Sequence, residues 1–170
     1  PWDGFKRVRM ALDKLKRLGG PPKRKHPANP PMLRTCLRLS ANWTPLNRII
    51  LRALLCTGFS FMLRSSEFLS RGGAGWDLGK VLRPRDVELR CDGRRLEEGE
   101  YHLANEVSIF LRQSKSDQYN EGCVLTHHAA SNNNIDLCVV RALRDLAMAA
   151  PQRWQDDRDL PLSRWEDGTP

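Results

Sequence analysis

The apolar period of this chain changes twice, and the order of the changes limits the folds open to it. Leu46, Ile49, Ile50, Ala53 and Leu54 recur three and four apart, the spacing of one helix face. Past residue 86 the spacing drops to two: Val87 and Leu89 alternate with polar neighbours, as do Val107, Ile109 and Leu111. From Leu137 the helical spacing returns with Val140, Leu143, Leu146 and Ala147. Helices, then a small antiparallel sheet, then a helix predict an α+β fold, mostly helical, with helices flanking a three-stranded antiparallel sheet. The strands are expected over 86–90, 106–112 and 123–126.

Local signals punctuate that order. A short helix over 32–39 is expected to bury Leu33, Cys36 and Leu37. Thr44-Pro45 places a capping hydroxyl before a proline at the first helical position. Gly58 is expected to interrupt that helix near Thr57, before a second helical segment holding Arg64 and Glu67. Asp92-Gly93 signals a hairpin turn. Asp136 is expected to cap a helix over 137–149 that Pro151 stops, leaving a polar tail with Trp154 and Trp165.

The amino-terminal part differs in composition. Residues 1–19 read as an amphipathic basic helix, with Phe5, Val8, Leu12 and Leu15 on one face and Lys6, Arg7, Lys14, Lys16 and Arg17 on the other. Residues 20–31 hold Lys23, Arg24 and Lys25 among prolines, an extended linker and the expected boundary with a domain over 32–170. Residues 1–38 carry a net charge of +9, while the rest of the chain carries −1. Basic charge concentrated in one arm meets phosphate favourably, because neutralisation releases counterions, so duplex DNA is the expected partner.

Other classes are set aside on composition. A mean hydropathy of −0.55 and no apolar run of membrane length predict a soluble, intracellular chain, nuclear if eukaryotic. The five cysteines form no Cys-x-x-Cys pair, and the adjacent His127 and His128 would point to opposite faces of a strand. Neither a disulfide framework nor a metal or other cofactor is expected. The chain runs from Pro1 to Gly168-Thr169-Pro170, and we expect a fragment of a longer product.

Two short stretches carry candidate chemistry. Arg64 follows an apolar run and needs anionic or carbonyl partners if buried, and Glu67 three residues on can orient it. Lys115 lies between two expected strands, where a flexible ammonium can reach a phosphate or protonate a leaving oxygen. Each has an ordinary alternative, a helix ion pair and a solvated turn lysine.

Taken together, Arg64-Ser65-Ser66-Glu67-Phe68, Arg83-Pro84-Arg85-Asp86-Val87, Leu111 to Gln118 and Cys138 to Leu146 resemble the tyrosine recombinase (phage integrase) catalytic domain, with the flavour of the DIRS and crypton mobile elements. The resemblance implies that residues 1–19 end an amino-terminal DNA-binding domain. It implies that Arg64 contacts the scissile phosphate, Glu67 braces that box and Lys115 is the general acid for the leaving 5′ oxygen. It further implies a phosphotyrosine intermediate, no metal, and assembly as a tetrameric synapse. The family's His-x-x-Arg box and its late nucleophilic tyrosine are missing here, since Tyr101 and Tyr119 are the only tyrosines and lie too early. The 170 residues are therefore expected to be inactive alone. A non-enzymatic DNA-binding module, a decayed mobile-element remnant and a helical interaction protein remain open alternatives.

Overall fold

A computed structural model describes residues 27–69, 79, 81–112, 121–130 and 134–169. Helix α1 spans Pro30–Leu39. The Asn29 side chain accepts from the Met32 amide at 3.0 Å, and Pro30 and Pro31 occupy the first helical positions, so these prolines open a helix rather than end the linker. Leu33 is buried and Leu37 half-buried, but Cys36, expected inside, is exposed, because the buried stripe follows the i, i+4 row.

Helix α2 spans Pro45–Ser60 behind the expected Thr44 cap, whose hydroxyl accepts from the Asn47 amide. It buries Ile50, Ala53, Leu54, Cys56 and Thr57. Gly58 does not interrupt it. The glycine lies inside the helix because the Phe68 ring covers it: a Cβ there would come within 2.6 Å of Phe68 Cζ. A separate four-residue helix, α3, spans Ser65–Phe68.

The sheet has four strands, not three, in the order β2-β1-β3-β4, every pair antiparallel. Strand β1 is Val87–Cys91, β2 Arg94–Arg95, β3 Glu106–Leu111 and β4 Cys123–His128. The extra strand is two residues long, too short to show a period, and the expected Asp92-Gly93 turn folds it back. Both turn residues have positive φ, +51° and +79°, the geometry whose twist suits a two-residue hairpin. Asp86, expected in the first strand, lies in a 3-10 turn over Pro84–Asp86. Val87, Leu89, Val107, Ile109 and Leu111 turn to the core, as their alternation predicts.

Helix α4, Val139–Ala149, packs along α2 and against β1, β3 and β4, burying Val139, Val140, Ala142, Leu143, Leu146 and Ala147. Its start corrects the expected cap. Cys138 precedes it without a side-chain cap, while Asp136 sits in the 3-10 turn Ile135–Leu137 and accepts from Arg34 Nε of α1 at 2.7 Å. That hydrogen bond holds the Asp136 carboxyl below the usual range.

The polar tail is part of the body. Pro161 and Leu162 are fully buried, and the Leu162 amide donates to the Leu82 carbonyl at 2.9 Å. The buried Arg153 guanidinium donates to the carbonyls of Leu162 and Arg164, at 3.2 and 2.6 Å. Burial lowers its pKa to about 10. Trp165 meets Trp43 edge to face at 5.4 Å, closing the tail onto the α1–α2 corner. No helix among the described residues is long and apolar enough to cross a membrane.

Candidate functional site

The turn between α2 and α3 presents Arg64. Helix α2 ends in a Schellman motif: the Leu63 amide donates to the Gly58 carbonyl at 3.0 Å and the Met62 amide to the Phe59 carbonyl at 3.3 Å. The left-handed position falls on Met62, φ +53°, where glycine is usual, and this side chain is 90% exposed. The chain then straightens, and Arg64 is the extended residue before α3 rather than a member of a continuing helix.

Glu67 binds Arg64 twice. One carboxylate oxygen accepts from the Arg64 backbone amide at 2.8 Å, the acid half of a capping box. The other accepts from Arg64 Nη1 at 3.0 Å. The carboxylate is 11% exposed and the guanidinium side chain 54%. A buried anion thus fixes a cation that faces solvent, and Phe68 on the next position docks α3 over Gly58. The arrangement can receive an anion at the open side of the guanidinium.

The same local pattern recurs at Arg83. Asp86, at the same spacing, accepts from the Arg83 amide at 3.0 Å. Here the guanidinium is also withdrawn, 10% exposed, with Nε 3.7 Å from Asp86 and Nη1 3.6 Å from Asp159. Burial lowers its pKa, and Arg112 and Arg85 add to the effect. The other oxygen of Asp86 accepts from Arg112, the residue that follows β3.

Leu111 pairs with Cys123 across β3 and β4, so residues 112–122 connect two antiparallel neighbours. Lys115 belongs to that connection but lies outside the described residues, and so does its approach to Arg64. Gly122, at the return, has φ +71°, and a Cβ there would meet the Leu111 carbonyl at 2.7 Å and the Phe110 ring at 2.8 Å. Both roots of the hairpin are therefore fixed, one by the Arg112–Asp86 pair and one by close packing. Lys6, Arg7, Lys14, Lys16, Arg17, Lys23, Arg24 and Lys25 also lie outside the described residues, as does Tyr119. Tyr101 stands in the 3-10 turn Tyr101–Leu103, half-buried against Trp154. Burial, then Glu98 and Glu97, raises its pKa, which opposes the phenolate a nucleophile needs.

Sequence reasoning passed over Asp86 as a binding group and weighed His127 only as a metal ligand. His127, on β4, is within 2.9 Å of the Ser60 carbonyl through Nε2, and its ring meets Phe61 edge to face. No local signal marks that contact, because 67 residues separate the partners. Among the described residues no three His, Cys, Asp or Glu side chains form a cluster able to hold a metal ion. A groove of about 440 Å³ between α1 and α2 exposes Arg48, but its other arginine, Arg52, is engaged by Asp145 and the carbonyls of Ile135 and Asp136. Comparison of the chain with family models, with curated proteins and with solved structures returns no match.

Proposed function

We propose that the chain is the amino-terminal part of a DNA strand-transfer domain of the tyrosine recombinase type. The observation that carries this reading is the Arg64–Glu67 unit, a solvent-facing guanidinium held at two points by a buried carboxylate. Its fork suits the oxygens of a phosphodiester, and a brace fixed before binding avoids the cost of ordering a long side chain. Lys115, carried between β3 and β4, is the general acid for the leaving 5′ oxygen in this reading. The basic residues from Lys6 to Lys25 hold the duplex, and the DNA-bound form is a tetrameric synapse.

These 170 residues contain no His-x-x-Arg and no tyrosine in the nucleophile's place, so by themselves they bind DNA without forming a covalent adduct. The protonated, half-buried Tyr101 favours this division of labour. The test is a denaturing gel with a nicked duplex substrate. These residues alone give no adduct. A longer product supplying the second arginine box and the tyrosine gives one, and Arg64→Ala nearly abolishes it. A Lys115→Ala defect of ~10²–10⁴-fold is rescued by a 5′-thiol leaving group, which needs no proton. An adduct from the 170 residues themselves, or equal thiol rescue of Arg64→Ala, would overturn the reading.

A further inference from the structure

We infer that His127 is the positioning residue for Arg64, a side-chain clamp from the sheet onto the end of α2. The carbonyls of a helix's last turn lack helical partners, and each needs another donor. At the end of α2 the backbone serves Thr57, Gly58 and Phe59, which accept from Phe61, Leu63 and Met62 respectively. Among the described residues no backbone amide reaches the Ser60 carbonyl. His127 Nε2 does, at 2.9 Å, and a carbonyl can only accept, so this nitrogen carries the proton.

The ring adds a second restraint. It stands at 82° to Phe61 with centroids 4.8 Å apart, and Phe61 is buried. Ser60 and Phe61 are the two residues from which the chain turns through the strained Met62 to Arg64. Strain of that kind persists only where surrounding contacts over-determine the backbone. His127 supplies those contacts from outside the helix. It sits on β4, the strand that returns from the segment holding Lys115, paired with Val107 of β3. One imidazole therefore ties the turn that presents Arg64 to the hairpin strand. The clamp itself stands on the described contacts, while its consequence for DNA rests on the proposed function.

Amide hydrogen exchange and DNA affinity separate the two. In His127→Phe the ring remains and the donor is lost. The Arg64 amide, now bonded to Glu67, is expected to exchange at least ~10-fold faster while Leu143 and Leu146 in α4 keep their protection, a local and not a global opening. His127→Gln, which restores an N–H donor, returns Arg64 towards wild-type exchange. Unchanged Arg64 exchange in His127→Phe, or equal loss of protection in α4, overturns the clamp. If His127→Phe does not fold, imidazole nitrogen shifts of the unaltered protein decide: an Nε2–H tautomer supports the clamp and an Nδ1–H tautomer overturns it. For a duplex DNA probe, His127→Phe weakens binding as Arg64→Ala does, and the double variant is no weaker than Arg64→Ala. Additive losses overturn a route through Arg64. Full affinity in Arg64→Ala overturns the functional reading instead, leaving exchange to judge the clamp.

Discussion

Arg64–Glu67 and Arg83–Asp86 are the same device in two settings. In each, an arginine stands just before a helical turn, and an acid three residues on accepts its backbone amide, at 2.8 and 3.0 Å. The guanidinium of the first is 54% exposed and that of the second 10%. The second faces two carboxylates inside the protein, Asp86 and, from the tail, Asp159, and it shares Asp86 with Arg112 from the end of β3. The first keeps its charge at the surface. Spacing sets the brace, and tertiary burial decides whether the cation is held inside the fold or stays at the surface.

The sharpest way to break this comparison is to remove the second acid. Asp86→Ala leaves Arg83 and Arg112 without their shared carboxylate, and removing one partner of a buried pair costs about 3–5 kcal/mol. Urea unfolding reads it directly, and a loss under ~1 kcal/mol would place Asp86 with ordinary surface pairs. Gly58→Ala comes next. In an open helix this change stabilises by ~1 kcal/mol. Here the Phe68 ring blocks the new methyl, and a destabilisation of about 1–3 kcal/mol is expected from overpacking. A gain in Tm would show that α3 does not bear on α2 as described. Met62→Gly runs the other way, removing a left-handed penalty of ~1–2 kcal/mol against a smaller entropic cost of glycine. A net gain of about 0.5–1 kcal/mol is expected in chemical denaturation, and no gain would mean the turn is not strained.

Much of the fold is written in local patterns. The Thr44-Pro45 start of α2, the alternation of β3 and the stripe of α4 each depend on residues within one element. What escapes the sequence depends on distant partners. Gly58 reads as a break until Phe68 lies on it. Asp136 reads as a cap until Arg34, 102 residues away, claims it. The tail reads as polar because Arg153 is satisfied by carbonyls, which no side-chain pattern announces. At the candidate site the Arg64–Glu67 spacing is legible, but the same spacing at Arg83 is equally legible, and nothing local tells the two apart.

The claim that Arg64 is held for a phosphate is tested most directly by the salt dependence of duplex DNA binding, measured for the unaltered chain and for Arg64→Ala. In the variant Glu67 keeps its hydrogen bond from the backbone amide of residue 64, and the guanidinium that is lost is 54% exposed, so the variant should remain folded at the measuring temperature. If the chain meets ~6 phosphates, its affinity falls by roughly three orders of magnitude between 50 and 200 mM salt. Arg64→Ala should bind more weakly and lower the slope of log affinity against log salt by about 0.9, the share of a single phosphate. An unchanged affinity and an unchanged slope would contradict the account and make Arg64, like Arg83, part of the scaffold.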